Sequence, residues 1–285
     1  MSIDRLQQKI RKLKNPSVID FGTVQMPPHL LEQEGSYPKA YYRFCWELLE
    51  GLKGIVPAVR FHLGTFALMG AEGMDVLNAL LKQAKQHYYV LLDAVEGLSP
   101  QLAQSSAEAL SQWPCDGVVI SAYIGSDCIK PYIAALSEKD KSLFVILRTA
   151  NKSASELQDL MTGSRLVHVA AADIVSRLGE PLIGSCGYAK IAGVGAANAA
   201  ESLRILRGKY AKMFLLVDGY DYSNANGKNC SFAFDKLGHG AAVCAGTAVT
   251  GAWQEALCGA EHYVDAAVEA AQRMQKNILR YTTVL

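Results

Sequence analysis

Acidic, basic and hydroxyl residues stand near the ends of short apolar runs, and their types suit acid–base or metal-assisted chemistry. Ser17–Gly22 carries Asp20, Ile55–Leu63 carries Arg60 and His62, and Tyr88–Val95 carries Asp93, with Glu96 directly after it. Gly117–Ile124 carries Ser121 and Tyr123, Leu143–Thr149 carries Arg148 and Thr149, Met213–Gly219 carries Asp218, and Ala241–Gly246 runs into Thr247. Residues two apart on an extended chain share a face, so Arg60 and His62 point together, as do Asp93 and Val95. An arginine aimed inward requires a carboxylate or an anionic ligand, and Asp93 on the neighbouring run is its expected partner. Asp93, Arg60, His62 and Glu96 are therefore candidate catalytic groups. Asp20, Ser121, Tyr123, Thr149 and Asp218, with the backbone amides of Gly246 and Thr247, are candidate ligand contacts. Asp20, His62, Asp93 and Asp218 also form a mixed oxygen and nitrogen set that would suit a divalent metal, though the leading reading requires no metal and no cofactor. Each residue has an ordinary role too: a strand-end aspartate is often a salt bridge or loop anchor, and a lone histidine a hydrogen-bonded structural group.

The elements that must position these residues follow from periodicity. Eight apolar runs, the seven above and Lys190–Ala196, are apolar on both faces, as strands of a covered parallel sheet are. Segments between them carry helical spacing, as in Met74–Lys85 and Ala200–Arg207. Ser153 and Glu156 have the spacing of a capping box opening a helix. Eight alternating units predict an α/β protein with a (β/α)8 TIM barrel, whose function resides at the C-terminal ends of the strands. A doubly wound open sheet is the alternative, but the first turn, Asp20–Pro28, has one glycine where such folds use several. Gly193-Val-Gly and Gly246-Thr-Ala-Val-Thr-Gly251 are either phosphate-binding amide loops or plain turns. One domain spans 1–285. Residues 1–16 hold a helix with Ile3, Leu6, Ile10 and Leu13 on one face to cover the barrel floor, and 255–285 hold a long C-terminal helix.

Composition narrows the partners. With 285 residues, half of them hydrophobic and 19% charged, a large core is available. A net charge of +1 gives no footprint for nucleic acid or an anionic membrane, and Lys9, Arg11, Lys12 and Lys14 read as a solvated helix face. Seven scattered cysteines without a Cys-x-x-Cys pair fit neither a disulfide framework nor a zinc cluster. They read as small apolar residues in a reducing compartment. With no apolar leader and no long apolar run, a cytoplasmic protein is expected.

Five stretches resemble orotidine 5′-phosphate decarboxylase, in its longer bacterial form, over nearly the whole length. They are Asn15-Pro-Ser, Val56-Pro-Ala-Val-Arg60, Ala122-Tyr-Ile-Gly-Ser-Asp-Cys-Ile-Lys-Pro131, Phe144-Val-Ile-Leu-Arg-Thr-Ala-Asn151 with Glu156-Leu-Gln-Asp-Leu160, and Phe214-Leu-Leu-Val-Asp-Gly-Tyr220. The resemblance implies a small phosphorylated or anionic ligand, a homodimer, and a Lys-Asp-Lys-Asp constellation whose last aspartate crosses the dimer interface. In this sequence the first lysine corresponds to Arg60 and the first aspartate to Asp93, while the second pair corresponds to Val95 and Leu98. The family's ligand-binding aspartate after the first strand falls on Gly22, two residues past Asp20. Its phosphate-loop glutamine falls near Ser223, the arginine after the eighth strand on Thr247, and its Asn-Pro-Tyr on Ser121-Ala122-Tyr123.

The substitutions strike the reaction. Decarboxylation leaves a carbanion that must be stabilised and then protonated by the central lysine. Val95 does neither, and an arginine at position 60 does not release its proton near neutral pH. Three readings stay open: a barrel that has lost decarboxylation and binds a small anionic ligand or partner, a metal-dependent lyase or epimerase acting on a sugar phosphate, and a decarboxylase of pyrimidine biosynthesis with an altered site. A lysine from elsewhere, such as Lys190, reaching the Asp93 cavity would favour the last.

Overall fold

The computed structural model describes residues 1–22, 25–94, 99–222, 225–256 and 259–284. Eight parallel strands form the barrel: β1 (Ser17–Asp20), β2 (Ala58–His62), β3 (Tyr89–Asp93), β4 (Gly117–Ser121), β5 (Ser142–Ile146), β6 (Ile191–Ala196), β7 (Leu215–Asp218) and β8 (Ala241–Ala245). Each pairs with the next, and β1 pairs with both β2 and β8, so the sheet is closed and the open doubly wound alternative is excluded. Helices alternate with the strands, giving an α/β TIM barrel. The apolar runs extend past the hydrogen-bonded ladders because their terminal residues, Gly22 and Thr149 among them, turn into the loops at the strand ends.

Alternation along each strand divides the core in two. Outward residues such as Val59 and Phe61, Val90 and Leu92, or Leu215 and Val217 pack under the surrounding helices. Inward residues fill the barrel itself: Val18, Ala58, Tyr89, Leu91, Val119, Phe144, Val194, Phe214, Leu216 and Ala242. Gly117 makes this filling possible, because a Cβ there would lie 2.9 Å from both Leu91 Cδ2 and the Phe144 ring.

The first helix, Ser2–Leu13, lies across the barrel floor. Ile3, Leu6 and Ile10 are fully buried and belong to the inner cluster. Leu13 is only half-buried, because Lys14 takes a left-handed conformation and ends the helix there. Asp116 anchors this helix from below. Its carboxylate accepts from the Val90 amide at 2.9 Å and from Arg5 at 3.0 Å, and pairs with Lys85. Arg11, Lys12 and Lys14 are exposed.

One local expectation fails. The Ser153–Glu156 segment opens no helix: residues Lys152–Glu156 form a single 3-10 turn without a side-chain cap. The reason is that Gln158 and Asp159, immediately after it, are tied back to the end of β5, through the Thr149 amide at 2.8 Å and through Arg148. The chain then enters a two-stranded hairpin, 161–162 with 165–166. In the C-terminal segment 255–285 the long helix starts only past Gly259. Gly259, with φ +88°, precedes a 3-10 turn at Ala260–His262, and the α-helix is Tyr263–Leu279. The six described cysteines are free thiols, and no described helix is long and apolar enough to cross a membrane.

Leu6 tests the floor. Leu6→Ala should lower stability by about 3 kcal/mol through cavity formation, whereas Leu13→Ala should cost under about 1 kcal/mol, both read from urea unfolding midpoints.

Candidate active site at the barrel mouth

The parity that buries Ala58 inside the barrel also sends Arg60 and His62 inward, one and two layers higher. The same rule turns Asp20, Asp93, Asp218 and Cys244 into that space from β1, β3, β7 and β8. Arg60 is only 3% exposed and sits at the centre of the group. Its Nε donates to Asp20 Oδ2 at 3.0 Å, its Nη2 donates to Asp20 and to Asp218 Oδ1 (2.9 Å for the latter), and its Nη1 donates to Asp218 Oδ2 at 3.3 Å. Asp93, the partner expected from adjacency, lies farther off, with Oδ2 3.8 Å from Nη1. The preference has a geometric cause. The register sets Asp20 directly beside Arg60, and barrel closure brings β7 within reach of the guanidinium.

His62 completes the arrangement. Its Nε2 lies 2.9 Å from Asp20 Oδ1, and its Nδ1 lies 3.7 Å from Asp93 Oδ2. Burial opposes the charged imidazolium, but the bond to Asp20 and that carboxylate's charge outweigh it and raise the pKa. Asp20 is displaced the other way: Arg60 and His62 overcome its burial and hold it well below the usual carboxylate range. Asp93, 8% exposed, has only its two longer charge contacts among the described residues. Burial raises its pKa, Arg60 and His62 offset this in part, and the charges of Asp20 and Asp218 raise it further. Two carboxyls of one mouth are thus pushed apart in acidity, a pattern of acid–base sites.

Gly22 stands where the resemblance puts a ligand-binding aspartate. A Cβ at this position would meet the His62 ring at 2.4 Å and Asp20 Oδ1 at 3.0 Å. The space of an aspartate side chain at 22 is occupied by the Asp20–His62 pair.

The remaining candidates are dispersed. Ser121 accepts from the Tyr123 amide at 3.2 Å, and Tyr123 Oη donates to the Leu147 carbonyl at 2.7 Å, so both brace the turn after β4. Thr149 bonds Asn151 and Gln158 at the end of β5. Gly246 and Thr247 line a cavity of about 360 Å3 with Asp20, Asp221 and Tyr222. Glu96 and Val95 of the third-strand motif, and Ser223, lie outside the described residues. Lys190 is at the opposite end of the barrel, 3.7 Å from Asp140 and bonded to the Ser137 carbonyl. Among the described residues no lysine pairs with Asp20, Asp93 or Asp218.

Ligand atoms of Asp20, Asp218 and Cys244 lie within 4.8 Å of one another, a different set from the Asp20, His62, Asp93 and Asp218 expected for a metal. Both carboxylates in it already bond Arg60, whose guanidinium stands between them as the local cation. Cys244 stays a thiol, since burial raises its pKa well above the ordinary value. Sequence reasoning missed Cys244, although its inward parity in the eighth run was readable. It also missed Asp221, whose carboxylate accepts from the Gly246 amide at 2.8 Å and the Ala248 amide at 2.7 Å. Nothing local signals that bond, which spans 25 residues.

Asp20 controls the histidine. Asp20→Asn should lower the His62 pKa, read by NMR titration of the imidazole. Because the folded value is raised, the stability tied to His62 is fully present below the ordinary 6.5 and is lost as pH rises through the folded pKa. In Asp20→Asn that loss should vanish from the pH–stability curve.

No family model matches the chain. Curated relatives do: orotidine 5′-phosphate decarboxylases of Petrotoga mobilis, 25% identical over 284 residues, and of Clostridium kluyveri, 26% identical over 287, each covering 98% of both chains. Among solved structures, an OMP decarboxylase of Leishmania donovani superposes with a TM-score of 0.71 at 19% identity, covering 96% of this chain and 98% of its own. Over nearly its whole length the chain is thus similar to proteins named orotidine 5′-phosphate decarboxylase, at 25–26% identity.

Proposed function

We propose that this barrel has lost orotidylate decarboxylation and keeps its mouth as a binding site for a small polar molecule. The observation that carries the reading is Arg60. At the position of the family's first lysine stands a guanidinium held by Asp20 and Asp218. It is neither free to move with a substrate nor able to deliver a proton. Val95, where the resemblance puts the proton-donating lysine, has no acid to offer. The one lysine singled out as a substitute, Lys190, sits at the floor. His62 and Asp93 remain as titratable groups, but the fixed cation beside them, Arg60, is already engaged by Asp20 and Asp218 rather than free to stabilise a carbanion.

The phosphorylated ligand expected from the resemblance would look for its donors in the loops after β7 and β8. There the Gly246 and Ala248 amides already bond Asp221. A homodimer remains part of the proposal on the strength of the resemblance, and light scattering of the purified chain should give twice the monomer mass.

Purified protein incubated with orotidine 5′-phosphate should release no carbon dioxide above the buffer blank, and its expression should not rescue a uracil auxotroph. Saturable turnover of about 1 s−1 or more, an ordinary enzyme rate, would overturn the reading.

A further inference from the structure

We propose that Ser202, His168 and Asp159 form a nucleophile, base and orienting acid at the rim beside the sixth strand, able to cleave carboxylic esters with a small acyl group. None of the three belongs to the barrel mouth, so the proposal is independent of the preceding reading.

The residues come from three separate segments. Asp159 stands in the chain after β5, His168 in the first turn of the helix Val167–Gly179, and Ser202 in the first turn of the helix Ala200–Lys209 that follows β6. In a barrel those first turns lie at the C-terminal end of the strands. Ser202 Oγ is 3.0 Å from His168 Nε2. On the far side of the ring, His168 Nδ1 is 3.0 Å from the Gln158 carbonyl oxygen and 3.3 Å from Asp159 Oδ1. Arg148 donates to Asp159 from Nε at 3.0 Å and from Nη2 at 2.8 Å, and these bonds hold the carboxyl below its usual range and keep it ionised. Carbonyl and carboxylate can only accept, so Nδ1 carries the proton and Nε2 presents its lone pair to the serine. A hydroxyl bonded to a base that a third group orients is the arrangement that activates a serine.

Two further features suit acyl transfer. The helix Ala200–Lys209 has no side-chain cap, so the amides of its first turn lack an acceptor within the helix. Ser202 is the third residue of that turn, and an oxyanion on a carbonyl carbon bonded to Oγ would form beside those donors. Asn198 Oδ1, four residues earlier, is buried with no hydrogen-bond partner among the described residues, an acceptor left open for a water. His168 is 1% exposed and Ser202 6%, whereas Ala199 and Ala200 are half-buried and Glu201 is exposed. The base is thus shielded from solvent, and the narrow approach past the two alanines restricts the acyl group to a small one.

In the first half of the reaction Ser202 Oγ attacks the ester carbonyl carbon while its proton passes to Nε2. The ester C–O bond then breaks, and the leaving alkoxide takes that proton. In the second half a water gives one proton to Nε2 and bonds the acyl carbon through its oxygen. Ser202 departs with the proton returned, leaving the free acid. Asp159 balances the imidazolium formed in each half.

A fluorophosphonate, which bonds covalently to activated serines, and p-nitrophenyl acetate serve as probes on the full chain. Peptide mapping by mass spectrometry should place the fluorophosphonate on Ser202, with none after thermal unfolding, and acetate release should exceed the buffer blank. Ser202→Ala should abolish both signals. His168→Gln should slow labelling at least about tenfold. Should that variant not fold, Asp159→Asn, which removes the orienting charge, should slow it in the same direction. A folded wild type that takes no label, a label found only on another serine, or a folded His168→Gln labelled at the wild-type rate overturns the proposal.

Discussion

A guanidinium held between two carboxylates organises the mouth of this barrel. Arg60 is almost wholly buried, and a buried cation is tolerated only when its donors are met. Asp20 and Asp218 meet them, and in doing so they tie β1, β2 and β7 together at the end of the barrel where chemistry would occur. Other features of the mouth follow from that bond. Asp20 stays ionised because Arg60 is there, His62 gains its proton affinity from Asp20, and position 22 must be glycine because the Asp20–His62 pair fills its space. Asp93 is left with the longer contacts and with a carboxyl that burial drives toward its neutral form.

The opposite end of the barrel shows how the same alternation serves stability. Ile3, Leu6 and Ile10 cap the inner cluster, while Asp116 gathers Arg5, Lys85 and the Val90 amide beneath them. At the floor the Asp116 carboxylate is met by fixed partners. At the mouth the acids outnumber the bases, and one of them, Asp221, occupies the amides of the eighth loop.

Much of the fold was legible because it depends on local periodicity. Eight apolar runs with helical spacing between them left few topologies, and closure accounts for eight strands without an edge. The face of the first helix was readable for the same reason, down to Ile10. Where local pattern competed with distant bonds it misled. Ser153 and Glu156 have capping spacing, yet the ties from Gln158 and Asp159 to the end of β5 allow one 3-10 turn only. Asp93 stands on the strand next to Arg60, but the side-by-side register of Asp20 and the closure that brings in Asp218 give the guanidinium better partners.

By itself the sequence determined which residue types face the barrel interior, because side-chain parity on a strand is a property of the chain alone. It also determined that positions 60 and 95, where the resemblance puts two lysines, hold arginine and valine, since identity needs no coordinates. Only the tertiary structure decided which charges neutralise one another: Arg60 with Asp20 and Asp218, His62 with Asp20, Asp221 with the amides of Gly246 and Ala248. Those pairings link residues 25 to 158 positions apart, and their energies depend on distances and burial that arise only once the sheet has closed on itself.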